Sequence, residues 1–381
     1  MEATRTHPSP TTGPTRSRRR RAAALVVPAL ALAGCAVAAA PDSAPVNGGP
    51  FAPHGSLGYV VCPTAVTPIE LASRTAEAAI ALPVRGTPAL GSFAIATSPD
   101  GRTAYVATQS TTSGAGTDDV VVPIDLASQR AGRPITLPGH GAPRAVVVTH
   151  DGRTVLVASG TSIVPVDPVT RAVGTPLDLG PGRTVAGMAL SPTSSTLYVL
   201  VPDGVVPVDT ATARAGAPIL TGLSISSVAS PHGVVVSADG ATVYVVGQGG
   251  PDFGGRLVPI QAATGAVGAA TSFDQFGIAD LAAVALTVDG STVLVADSAD
   301  NWVVPVPVAG LAASDPVRLP TGPAAAAGTD HPSDIVVGPG TTGAFVVAGL
   351  STVLPFAPAT RTFGPPIRVC GGASSMAVAP G

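Results

Sequence analysis

Short apolar runs rich in Val, Ala and Ile recur along this chain, and each is cut off by a tight polar turn. One pair of runs reads FAIATSPDGRTAYVAT. The next pairs read AVVVTHDGRTVLVAS, MALSPTSSTLYVLV, VVVSADGATVYVVG and VALTVDGSTVLVAD. β-Branched residues favour strands over helices, and Asp-Gly between two apolar runs is a hairpin signal. The pairs at 100–101, 151–152, 239–240 and 289–290 are therefore read as hairpin turns. No segment carries a sustained helical apolar period with caps.

A second element follows each hairpin: an apolar residue, any residue, Pro, then Ile, Val or Phe, often with an acid next. It occurs at Pro68, Pro123, Pro165, Pro207, Pro259, Pro305 and Pro355. A Gly-x-Pro step often lies downstream, as at Pro134, Pro176, Pro218 and Pro366. Each unit thus predicts four short strands. Seven such units imply an all-β fold, a seven-bladed β-propeller of four-stranded blades. Runs that are apolar on both faces fit blades stacked face to face. The prolines are the awkward feature. A third strand is flanked on both sides, and proline cannot donate to a ladder there, so each predicts a bulge or a switch of pairing.

These residues resemble the YVTN-type β-propeller repeat family. TSPDGRTAYVAT (97–108) matches its first hairpin, and VVPIDLASQRAGRPI (121–135) its third and fourth strands. The resemblance spans roughly residues 57–381 and is strongest in the second to fifth repeats. It implies a propeller related to the seven-bladed lactonases, although no lactonase site residue can be placed on this chain.

The first repeat begins at GYVVC (58–62), which corresponds to the second strand of a blade. The C-terminal run from Ser375 to Val378 has the character of an inner strand. The C-terminus is therefore expected to complete the first blade beside Gly58–Cys62, with Cys62 opposite Ser374. Cys62 and Cys370 then share one rim and are expected to form a disulfide. The alternative is two free thiols, with Cys62 packed in the core.

The N-terminus has a different character. Arg16 and Arg18–Arg21 precede an uncharged, mostly apolar stretch, Ala22–Gly34, which is too short to span a bilayer as a helix. It ends in Leu32-Ala33-Gly34-Cys35, which resembles a bacterial lipobox. The expected organisation is a signal peptide over 1–34, lipidation of Cys35, a flexible tether over 35–56 and the propeller over 57–381. Cleavage near Ala38–Ala40 is the alternative. Ser17-Arg18-Arg19 also permits twin-arginine export.

Composition narrows the chemistry. All 20 basic residues are Arg, so a phosphate loop built on Lys is impossible. The exported part carries 14 Arg against 22 Asp and Glu, which excludes nucleic acid as a partner and favours a tethered head on the outer face of a membrane. No CxxC, HExxH or GxSxG-helix motif is present.

Loops entering the inner strands remain as the candidate site. His140, His232 and His331 precede the inner strands of blades three, five and seven. Arg144, Ser333 and Asp334 lie beside them, with Arg144, His232 and Ser333 in one ring at the channel mouth. Asp118, Asp119, Asp252, Asp297 and Asp300 are read as loop acids on the same rim, and 108–119 and 247–255 as long loops. The expectation is a monomeric, surface-anchored binding or interaction protein of the cell envelope. Its partner is a small ligand or an envelope protein, with no cofactor, metal or catalysis of its own. A lactonase-like hydrolase of a small sugar lactone and a purely structural envelope protein are the alternatives.

Overall fold

The structure, a computed structural model, describes residues 57–85, 93–111, 116–225, 233–250, 253–320, 331–338, 343–349 and 351–380. The leader, Cys35 and the tether lie outside these residues. The described chain forms seven antiparallel sheets arranged as a propeller. The inner strands, in blade order, are Ser375–Val378, Ala94–Thr97, Pro143–Val148, Gly187–Leu190, Val234–Val236, Leu281–Leu286 and Pro332–Val337. Each lies next to the following one, and the seventh returns to the first. The helical content of the described residues is one 3-10 turn, Asp274–Phe276. No helix among them is long and apolar enough to cross a membrane.

The pattern of apolar runs follows from this ring. In the second strand of blade one, Leu57–Cys62, Tyr59 and Val61 pack toward blade two, while Val60 and Cys62 pack toward blade seven. A strand sends alternate side chains to opposite faces, so both sets must be apolar when both faces are covered. Seven apolar clusters among the described residues fill the seven gaps between neighbouring blades.

The prolines switch the pairing, as the sequence predicts, and the way they do so explains the rest of the repeat. On the inner side the ladder is unbroken. Pro68 faces Tyr59, Pro123 faces Tyr105, Pro207 faces Tyr198 and Pro259 faces Tyr244. In an antiparallel strand one residue's N and O point to the same side. Each proline oxygen points outward, accepting from Glu77, Gly132, Gly174, Gly216, Gly268, Ser314 or Gly364 at 2.7–2.9 Å. The missing N–H therefore also points outward, where the fourth strand is interrupted. In blades one, two, four and seven it is split into two short pieces, such as Arg130–Ala131 and Ile135–Thr136. The glycine of Gly-x-Pro belongs to this arrangement. A Cβ would sit 3.0 Å from the proline Cγ at Gly174 and Gly268, and 3.2 Å at Gly132 and Gly216.

The turn from third to fourth strand is equally regular. Six residues after each proline the backbone is left-handed, at Arg74, Gln129, Arg171, Ala213, Gly265, Leu311 and Arg361. The acid after the proline anchors this turn. Asp167 Oδ1 accepts from the amides of Val169 and Thr170, and Asp209 Oδ1 from those of Ala211 and Thr212. These carboxylates lie below their ordinary pKa because backbone amides donate to them.

The ring closes as expected. Ser375–Val378 pairs antiparallel with Leu57–Cys62, with Gly58 opposite Val378 and Val61 opposite Ser375. The loop before it folds back through Gly372, at φ 80°, to bring Cys370 to Cys62, and the two sulfurs are bonded. Two side chains from neighbouring blades hold the closing strand. Asp334 Oδ2 accepts from Met376 N at 2.9 Å, and Thr97 Oγ1 donates to Val378 O at 3.1 Å.

Two stability predictions follow from these contacts. The bond spans 308 residues, and a cross-link of that length restricts the unfolded chain by up to about 5 kcal/mol. Replacing both Cys62 and Cys370 by Ser should therefore lower the urea midpoint, and a reductant should then have no further effect. Separately, Ala213→Gly should raise stability by about 0.5–1 kcal/mol, because an L residue in the left-handed region is strained. The same change at Ala211, which lacks a positive φ, should lower it. Calorimetry of both variants provides the comparison.

Candidate functional site

Loops entering the inner strands and turns joining the second to the third strands share one face, the channel mouth. The entry loop of blade three, 138–144, is held by a buried carboxylate. Asp119, wholly inaccessible to solvent, accepts from Gly141 N at 2.8 Å, from Gln109 Nε2 at 3.2 Å and from Ser159 Oγ. His140 is tied by Nδ1, 2.7 Å from Thr117 O. A carbonyl only accepts, so Nδ1 carries a hydrogen and the neutral ring keeps Nε2 as an acceptor. The same nitrogen lies 3.8 Å from Asp118 Oδ1, and the side chain is 68% exposed. The inner strand then opens on a bulge between Pro143 and Ala145, and Arg144 is the extra residue. Bulges at strand ends re-aim a side chain without disturbing the rest of the ladder.

Blade seven repeats part of this plan. His331 is exposed, with Nδ1 3.0 Å from Ser298 O of the preceding blade. A bulge between Pro332 and Asp334 makes Ser333 the counterpart of Arg144. Asp334 departs from expectation. It is wholly buried and accepts from Ile335 N and Met376 N, so it secures the closing strand. The fifth-blade member of the expected ring, His232, lies outside the described residues, as does Asp252. Among the described residues no three His, Cys, Asp or Glu side chains gather closely enough to hold a metal ion.

Two further expectations change. Segments 108–119 and 247–255 are not simple loops. The second and third strands of blade two, Thr103–Thr111 and Thr117–Asp125, pair out to Thr111 opposite Thr117. Those of blade five, Thr242–Gly249 and Gly254–Gln261, pair out to Gly249 opposite Gly254. Asp118 and Asp119 are consequently strand residues, and Asp297 ends the second strand of blade six, Thr292–Asp297. Of the described acids in this set, only Asp300 lies in a turn.

Asp297 is the perturbed group of this rim. It is wholly buried, and its Oδ2 accepts from Asp300 N at 2.9 Å while its Oδ1 has no partner. Burial, with the nearby charges of Asp300 and Asp280, pushes its pKa up to about 6. Its register position recurs three residues after the residue facing each proline, and is Cys62 in blade one, Thr108 in blade two and Ser159 in blade three. This recurring position was the sequence signal that could have located Asp297 in a strand.

No protein-family model and no curated protein matches this sequence. Solved structures do. The chain is similar to a Kuenenia stuttgartiensis hydrazine synthase structure, at 19% identity and TM-score 0.62, over 78% of this chain and 92% of that one. It is also similar to a chain of a nidogen/laminin complex, at 9% identity and TM-score 0.52, over 85% and 98% of the two chains. At such identities the likeness concerns the fold alone, and it agrees with a propeller.

The pKa of Asp297 gives a signed prediction. A carboxyl raised in the folded state contributes stability below its unfolded pKa, near 4, and that contribution is lost as pH rises through about 6. Wild type should therefore lose up to about 3 kcal/mol relative to Asp297→Asn between those values. Melting temperatures of the two proteins across this window should diverge as pH rises. Parallel curves would show that Asp297 titrates normally.

Proposed function

We propose that this chain is a binding protein of the cell envelope, exported and held on the outer face of a membrane by lipid on Cys35. Its ligand site is the mouth of the propeller, and it performs no catalysis of its own. The observation that carries the reading is the fixed entry loop of blade three. A buried carboxylate, a tied imidazole and a bulge position Arg144 before any ligand arrives, and pre-set polar groups at a mouth suit recognition. His331 and Ser333 extend the same polar rim on blade seven. In a ring of seven, blades three and seven stand nearly across the mouth from each other. Groups so separated suit a ligand that spans the opening better than an acid–base pair acting on one bond. The acidic balance of the exported part suits a head kept off an anionic membrane surface by its tether.

The test is thermal stability of a soluble form, residues 43–381, against sugars, lactones, cell-wall fragments, metal ions and small acids. A ligand at 100 times its Kd stabilises by about 2.7 kcal/mol. The expected hit raises the melting temperature of the parent and loses that effect in His331→Gln and Ser333→Ala. A hit indifferent to both changes would move the site away from the mouth. Turnover of a lactone would replace the reading with a hydrolase.

A further inference from the structure

We infer that the mouth holds an oxyanion, the carboxylate or phosphate group of a small ligand, on Arg144. This rests on the mouth being the ligand site and names the chemistry of its ligand. Three arginines among the described residues are half-buried: Arg144, Arg183 and Arg256. Arg183 donates to Leu179 O at 3.2 Å. Arg256 forms a bidentate pair with Asp274, at 2.6 and 2.7 Å, and also donates to Gly255 O. Among the described residues Arg144 has no hydrogen bond or ion pair. A guanidinium presents five N–H donors and a permanent charge, and withdrawing it from water without an acceptor is unfavourable. A half-buried arginine is therefore normally answered by an oxygen.

A buried carboxylate from the third strand of blade two reaches the loop of Arg144 and is committed elsewhere. Asp119 directs its oxygens to Gly141, Gln109 and Ser159. It holds the loop backbone and leaves Arg144 uncompensated. The loop is also strained at Ala142, φ 61°, a left-handed residue outside the set that recurs once per blade. Strain kept at a functional loop is held by surrounding contacts, here the bonds to Gly141 and His140. The planar guanidinium meets a carboxylate or phosphate through two parallel N–H···O bonds, which an ammonium cannot reproduce. Arg144 is thus assigned as the anchor, and its geometry selects an oxyanion over a neutral sugar or a cation.

The experiment is isothermal titration calorimetry at low salt on the full chain carrying Cys35→Ser. The probes are inorganic phosphate and D-glucuronate, with D-glucose as the neutral control. At least one oxyanion should bind. Arg144→Gln should weaken it at least about 10-fold, and Arg144→Lys should weaken it by a smaller factor. The melting temperature of Arg144→Gln without ligand should equal or exceed that of the parent, because an uncompensated charge is removed. That measurement also shows the variant to be folded. Two results overturn the assignment: no binding of either oxyanion to the parent, or equal binding by Arg144→Gln. D-Glucose binding that survives Arg144→Gln but is lost in Ser333→Ala would overturn the anion and leave the mouth as the site. An oxyanion that binds equally to Arg144→Gln, His331→Gln and Ser333→Ala would overturn both.

Discussion

A sheet that is apolar on both faces has no stable existence in water, and every blade of this protein is such a sheet. Alternate residues of a single strand belong to different interblade clusters, as Tyr59 and Val60 do. No blade can be covered by fewer than two neighbours, and only a closed ring gives two neighbours to all. Closure is therefore the constraint on which the rest depends. It rests on a strand of four residues at the far end of the chain. That explains the concentration of bonds at the seam: a ladder, a disulfide across 308 residues and hydrogen bonds from Asp334 and Thr97. The buried carboxylate of Asp334 belongs to this closure.

The prolines illustrate how one local constraint propagates outward. A proline in the third strand removes one outward-pointing donor. The fourth strand is interrupted at that point, and a neighbouring amide still reaches the proline oxygen. Its glycine then lies against the proline ring, and the acid two residues after the proline caps the turn between. Sequence features that look independent, Pro, Asp and Gly-x-Pro, are consequences of a single geometry. All four tyrosines of the chain face one of these prolines from the second strand, which gives the inner side of the proline an apolar cover.

The mouth is built from departures from this repeat. Arg144 and Ser333 occupy strand-end bulges that only blades three, six and seven show among the described residues, and Asp297 stands where the other blades place Cys, Thr, Ser, Val, Gly or Ala. The regular positions carry stability and are locked by two neighbouring blades. The irregular ones lie at strand ends, where a changed side chain is less constrained by packing. Their chemistry is set by which neighbour each one meets. Asp119 meets amides and hydroxyls, whereas the Oδ1 of Asp297 meets none, so two buried aspartates on one rim have opposite characters.

What the sequence determined alone is local and repeated: the blade count, the hairpin turns, the interrupted pairing at each proline and the register of the closing strand. Strand pairing within a blade joins runs only a few residues apart, and seven copies of one pattern make its meaning plain. The tertiary structure decided what depends on contacts between blades. It buried Asp334 against the last strand, made strand residues of Asp118, Asp119 and Asp297, and left Arg144 without an acceptor among the described residues. Those outcomes turn on which side chain of one blade reaches the backbone of the next. No period along the chain encodes that, because the two partners lie 22 residues apart in one case and 42 in another.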